Sequence, residues 1–269
     1  MSTLDEALRA IRRVDAFAAR PTLAAQLDAR AKVIATLAVI IAAASFPPHA
    51  LGALLPLLLF PAFLLAAADV PLNWLLGRLL FALPFAFFVG VLNPWLESAT
   101  FSTPWGTVMS SGWLTFASIL LRFAIAVSSV LLLLAGTGMV AVAHALSRLG
   151  LPQVFANQLL FLYRYVFVIA EELARSVRAY RLRAPNTGHT LPVRAYRLLL
   201  QGVLSRALER ALRVHQAMLA RGFDGTLHIA ARSSWQWRDS AFVLFWPAYA
   251  LLVRLTDIPL ALGRLLTGA

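Results

Sequence analysis

Cysteine is missing from this 269-residue chain, and lysine occurs once, at Lys32. The first absence excludes disulfides, thiolate metal sites and cysteine nucleophiles. The second excludes a nucleotide-binding P-loop, which needs a lysine after a glycine-rich turn and before Ser or Thr. Lys32 stands instead in Asp28-Ala29-Arg30-Ala31-Lys32-Val33. Convergent metal ligands are lacking as well. His49, His144, His189, His215 and His228 are scattered, with no His-x-x-x-His pair, so no resident metal and no cofactor are expected on this chain. Glu171 and Glu172 are adjacent and point to different faces of a helix, a poor acid–base pair. No Gly-x-Ser-x-Gly elbow occurs, and no catalytic residue is expected. Charged residues make up only 13% of the chain, against about 25% in an ordinary soluble domain.

What is abundant is apolar sequence. Sixty per cent of the residues are hydrophobic and the mean hydropathy is +0.76. No charge interrupts the run from Val33 to Ala68, and Pro47-Pro48 divides it into two arms, a natural hairpin between two spans. The first arm reaches membrane length if its helix starts near Leu27 and Arg30 and Lys32 snorkel back to the interface. A third apolar segment covers Leu72 to Leu92 and a fourth Trp113 to Ala135. The fifth, Ala241 to Leu255, is shorter and is preceded by Trp235 and Trp237, which fit an aromatic belt. Backbone exposed to lipid must satisfy its own hydrogen bonds, so these segments are expected to be helices. The fold class is therefore an all-α integral membrane protein with about five transmembrane helices. The start of the chain mixes acids and arginines with Leu4, Leu8, Ile11, Val14 and Ala18 at helical spacing, which reads as an amphipathic helix on the membrane surface and not as a cleaved signal.

The arginines set the orientation. A net charge of +12 on a polar chain would suggest nucleic acid; with long apolar runs it follows the positive-inside rule, and no nucleic-acid partner is expected. Residues 1–32 hold six basic groups, and the loop from Asn93 to Gly112 holds none. Residues 137–238 hold fourteen arginines against four acids. Four spans return the chain to its starting side, in agreement with that charge. The expected organisation is a cytoplasmic amphipathic segment at 1–32, a four-helix transmembrane region at 33–136, a basic cytoplasmic insert at 137–238, and a last span and tail at 239–269. Two arginines fall within spans: Arg78 near the cytoplasmic end of the third, where it can snorkel, and Arg122 deeper in the fourth, where it is expected to face the bundle interior or a partner subunit.

The insert reads as two long amphipathic helices, roughly Asn157 to Arg183 and Arg194 to Arg221, separated by Ala184-Pro185-Asn186-Thr187-Gly188. Arg164, Glu171, Arg175 and Arg178 fall on one face of the first, and Glu171 with Arg175 forms an i,i+4 pair. Arg206, Arg210, Arg213 and Arg221 share one face of the second, opposite Leu208, Leu212, His215 and Leu219. Each helix ends in an arginine beside small residues, and Gly222 with Gly225 suits a C-terminal cap and turn. By themselves these arginines are compatible with solvated faces, or with binding of acidic lipid headgroups by a membrane enzyme or scaffold.

Three stretches carry a resemblance. Leu27-Asp28-Ala29-Arg30-Ala31-Lys32 matches an N-terminal "LDPRAK" pattern with Ala29 in place of proline. Leu92-Asn93-Pro94 closes the third span, and Glu209-Arg210-Ala211 leads into Gln216-Ala217-Met218-Leu219-Ala220-Arg221-Gly222-Phe223-Asp224-Gly225. The chain thereby resembles the transmembrane T component of energy-coupling factor (ECF) transporters, the CbiQ/EcfT family, in its cobalt/nickel-type branch. That family has two short arginine signatures, often Ala-Arg-Gly, at the ends of two cytoplasmic coupling helices. The second is intact here as Ala220-Arg221-Gly222; the first is Leu182-Arg183-Ala184, with the arginine kept and the glycine lost.

The resemblance implies a non-catalytic coupling subunit in a bacterial cytoplasmic (inner) membrane. Its 137–238 insert would be the coupling domain, with Arg175, Arg178, Glu209, Arg210 and Arg213 supporting the two signatures. The implied partners are two ATPase subunits (A components) that use ATP and Mg, a substrate-binding membrane S component of cobalt type with which a small accessory membrane subunit can associate, and membrane lipid. Cobalt is the implied cargo, with nickel or a vitamin as alternatives.

Overall fold

The computed structural model describes residues 12–96, 100–102, 108–183, 192–225 and 235–256. Residues 12–18 form helix α1. Then follow α2 (Leu23–Gln26), α3 (Ala29–Ser45), α4 (Leu51–Leu54), a 3-10 turn (Leu55–Leu58), α5 (Leu59–Ala67), α6 (Leu72–Gly90) and α7 (Asn93–Leu96). Two three-residue strands, β1 (Thr100–Ser102) and β2 (Val108–Ser110), pair antiparallel with Phe101 opposite Met109. The remainder is helical: α8 (Ser111–Thr137), α9 (Met139–Arg148), α10 (Gln153–Arg183), α11 (Val193–Leu219) and α12 (Trp237–Leu255). The chain divides into two units, Asp15–Gly138 with Arg232–Ala269, and Met1–Val14 with Met139–Ala231.

In the first unit α3 packs against α8 and α12, and α6 lies along α8. The α6 contact is close because Gly90 has no side chain; a Cβ there would meet the Phe116 ring at 2.9 Å. Val39, Leu54, Leu57, Phe60, Ile125, Leu132 and Val253 are fully buried, and the rings of Phe60 and Trp246 meet edge to face at 4.9 Å. Along α6, Phe81, Phe85 and Phe88 are all more than 70% exposed. Water would penalise such a face; the hydrocarbon of a bilayer does not.

The protein is an all-α membrane protein, as expected. Among the described residues, three helical stretches are by length and composition apolar enough to cross a bilayer: Leu72–Trp95, Ser111–Thr137 and Gln153–Arg183. Helix α3 has 17 residues, and the second arm is divided among α4, the 3-10 turn and α5 around Pro56. Helix α12 carries Arg238 and Asp239 in its first turn and Arg254 in its last. The third stretch is α10, which charge counting places in the cytoplasmic insert. Its first eighteen residues contain a single charge, Arg164, whereas the rest of the helix carries Glu171, Glu172, Arg175, Arg178, Arg181 and Arg183.

Lys32 also departs from expectation. It does not snorkel but is 2% exposed, its ammonium donating to the carbonyl oxygens of Ala24 (2.8 Å) and of Gly136 (3.2 Å) in the last turn of α8. The Gly136 carbonyl belongs to the electronegative C-terminal end of α8, and the Ala24 carbonyl, at the end of the short α2, also accepts from the Leu27 N–H at 3.4 Å; both favour a cation over the nearby lipid interface. Asp28 caps α3 by accepting from the Arg30 N–H at 2.7 Å, and the Arg30 guanidinium grips both carboxylate oxygens at 3.2 and 3.0 Å. The Asp28 N–H donates to Asp239 Oδ1 at 2.7 Å, and Asp239 Oδ2 accepts from the Gln236 N–H at 2.8 Å in a capping box. One acidic side chain thus starts α12 and holds the start of α3.

Candidate functional site

The second unit is built on α10 and α11. Moving up α10, the partners on or just beyond α11 descend: Asn157 donates to the Gly225 carbonyl at 2.6 Å, Glu172 accepts from Arg210 and Arg206, and Ser176 accepts from Arg206 at 2.9 Å. The helices are therefore antiparallel, and their C-terminal arginines sit at opposite ends of the pair. Arg183 ends α10, eleven residues past Glu172, and Arg221 lies eleven residues past Arg210. At 1.5 Å per helical residue each arm is about 16 Å long.

The end at Arg221 has a defined geometry. The Phe223 N–H donates to the Met218 carbonyl and the Gly222 N–H to that of Leu219, both at 3.0 Å, with Gly222 at φ +79°. This is a Schellman closure, in which the left-handed residue strongly favours glycine. Gly225, at φ +92°, turns the chain toward Asn157. Ala220 and Arg221 are exposed just before the closure, so the guanidinium is presented at a fixed helix end. At the other tip Leu182 (84% exposed) and Arg183 are exposed, and Ala184 lies outside the described residues, as do Pro185 to Gly188.

The supporting residues separate by partner. Glu172 accepts from Arg206 Nε at 2.6 Å and from Arg210 Nη2 at 3.1 Å. Glu209 and Arg213 form an exposed i,i+4 pair at 3.7 Å. Arg175 reaches Glu171 at 4.0 Å, while the shorter partner of Glu171 is Arg12, at 2.8 Å and stacked toward the Phe167 ring. Arg178 is exposed on the same helix. Between the helices runs an apolar groove of about 540 Å³, floored by Phe161, Tyr165 and Ile169 of α10 and by Val214 and Met218 of α11.

Arg122 belongs to the other unit, where its Nη2 donates to the Pro47 carbonyl at 2.7 Å, capping the turn that follows α3. Pro47 occupies the break that the sequence marks, and its carbonyl also accepts from the Ala50 N–H at 3.2 Å. Among the described residues, no three His, Asp or Glu side chains gather as a metal site. Two features escaped the sequence reading. Glu172 was set aside with Glu171, although it joins the two helices, and Arg12 gave no sign of reaching Glu171, 159 positions away. Both depend on how helices meet, and no local spacing encodes that.

The second unit of this all-α membrane protein ends two antiparallel amphipathic helices in exposed arginines, and comparison places the chain among transport components. The chain belongs to the CbiQ family of cobalt transport proteins, whose model matches residues 21–230. It is 31% identical over 84 residues to the cobalt transport protein CbiQ of Rhodobacter capsulatus, covering 31% of this chain and 34% of that protein. It is 27% identical over 103 residues to the uncharacterized protein MJ1089 of Methanocaldococcus jannaschii, covering 38% of each chain. The chain spans about a third of the length of these curated relatives.

Proposed function

We propose that this chain is the non-catalytic transmembrane coupling (T) subunit of an ECF-type importer. Two separate ATPase subunits, using ATP and Mg, engage Leu182-Arg183-Ala184 and Ala220-Arg221-Gly222, and a membrane S component captures the substrate, with cobalt as the cargo. The N-terminus and the 137–238 coupling domain face the cytoplasm of a bacterial cell. The observation that carries this reading is the placement of the two arginines at opposite ends of one antiparallel pair. One helix pair thereby offers two similar ligands to two copies of a similar partner. A guanidinium at a helix end can enter a groove and bond carboxylate or carbonyl oxygens with a planar fork. Closure of the ATPase pair would move both ends, and rigid helices would carry that to the membrane partner.

Co-purification in mild detergent tests the reading. Replacing Arg183 and Arg221 by Ala is expected to release the ATPase subunits and abolish uptake in the reconstituted complex; retention of both activities by the double variant refutes it. Uptake of radiolabelled cobalt, nickel and a vitamin by the same vesicles assigns the cargo.

A further inference from the structure

We propose that Glu172 is the pivot of the α10–α11 pair, a positioning residue that fixes the two helices against each other so that Arg183 and Arg221 move as ends of one lever. This rests on the coupling reading above and adds to it the residue that makes two helix ends act together. The geometry has three parts. One carboxylate accepts from two guanidiniums of the facing helix, at 2.6 and 3.1 Å, and its side chain is only 15% exposed, whereas that of the adjacent Glu171 is 49% exposed. Arg206 is held a second time, by Ser176 Oγ one turn further along α10 at 2.9 Å. The contact lies eleven residues before Arg183 and, through Arg210 and Arg206, eleven and fifteen residues before Arg221, so the two arms are of similar length.

Packing explains why a polar contact takes this part. The buried residues are few and mostly small: Ala156, Asn157 and Ala174 on α10, Ala195 and Val203 on α11. Interlocking of large side chains is what normally prevents one helix from sliding on another. Small side chains leave that degree of freedom open, and a carboxylate shared by Arg206 and Arg210, a turn apart on α11, closes it. Asn157 supplies the other fixed point, tying the chain just past Arg221 to the start of α10. Load arriving at Arg221 enters α10 there, and Glu172 passes the movement of α11 to the half of α10 that ends in Arg183. Glu171 faces elsewhere, to Arg12, and takes no part in this contact.

The cysteine-free chain allows a direct test. Spin labels at Ala179→Cys and Ala217→Cys, both exposed, seven residues past Glu172 and seven past Arg210, report the distance between the arms in the full-length chain in detergent. Glu172→Gln is expected to broaden the distance distribution. Reversing the charges, with Glu172→Arg, Arg206→Glu and Arg210→Glu together, is expected to narrow it again, and Glu172→Asp to give an intermediate width. In the reconstituted transporter Glu172→Gln should retain its ATPase subunits and hydrolyse ATP while uptake per ATP falls by about ten-fold, the scale of a coupling free energy between two sites. An unchanged distribution in Glu172→Gln, or a broadened one that charge reversal leaves broad, overturns the proposal. If Glu172→Gln yields no folded protein, Glu172→Asp and the reversed triple variant decide it by the same widths. The label measurement needs no ATPase, so it judges the pivot even if the Arg183 and Arg221 replacements defeat the coupling reading.

Discussion

The backbone N–H of Asp28 donates to Oδ1 of Asp239 across 2.7 Å, joining the first turns of two helices that lie 211 positions apart in the chain. Asp239 is 1% exposed and commits its second oxygen to the Gln236 N–H. Both oxygens must accept. Asp239→Asn keeps the shape but turns one acceptor into an NH₂ group facing an N–H donor. The expected loss is about 1–3 kcal/mol, the cost of a buried donor left without a partner. Thermal unfolding in detergent measures it, and a melting temperature equal to that of the parent protein contradicts the assignment.

Lys32 predicts a second loss. Lys32→Met preserves bulk and removes the ammonium from the Ala24 and Gly136 carbonyls, with an expected cost of about 3 kcal/mol. Lys32→Arg should not rescue it, because a planar guanidinium needs more room than a compact ammonium. Equal stability of the Arg variant and the parent would show that charge alone matters at this position.

Ala29 predicts a gain. It is the first residue of α3, where an N–H has no intrahelical acceptor and proline is well accommodated. Asp28 before it is already extended, at φ −60° and ψ 137°, as a residue preceding proline must be. Ala29→Pro should therefore raise stability by about 0.5–1 kcal/mol, by restricting the unfolded chain. A fall in melting temperature would mean that the Ala29 N–H has an acceptor after all.

Gly222 predicts a local effect with a functional readout. Ala in its left-handed conformation costs about 1–2 kcal/mol, so Gly222→Ala should fray the end that presents Arg221. Faster amide exchange at 219–223, with unchanged exchange in α3 and α8, is the expected result, together with weaker retention of the ATPase subunits. If exchange accelerates everywhere, the glycine supports the whole fold and not the tip.

How much of this was legible beforehand follows from the range of each interaction. The Arg221 tip could be read because a Schellman closure is written within about six residues, in Leu219-Ala220-Arg221-Gly222-Phe223 and the residue before. The two long helices were visible in their 3.6-residue charge periodicity. Lys32 was misread because snorkelling and burial have the same local pattern, and the deciding carbonyl, that of Gly136, is 104 positions away. Glu172 was missed for a related reason: adjacency to Glu171 fixes which way each points on α10 but says nothing of what stands opposite. The apolar runs locate the helices but not their ends: Pro56 falls in a 3-10 turn between α4 and α5, and α12 begins at Trp237, four residues before its apolar run.

The inward turn of the sole lysine has a practical result for anyone handling the native protein. Acylating reagents that seek primary amines find no accessible side chain to modify, and the ε-amine of Lys32 reacts only when the helices around it part. Its rate of modification is therefore a clock for the opening of the membrane unit, started by the addition of reagent and read from a single peptide.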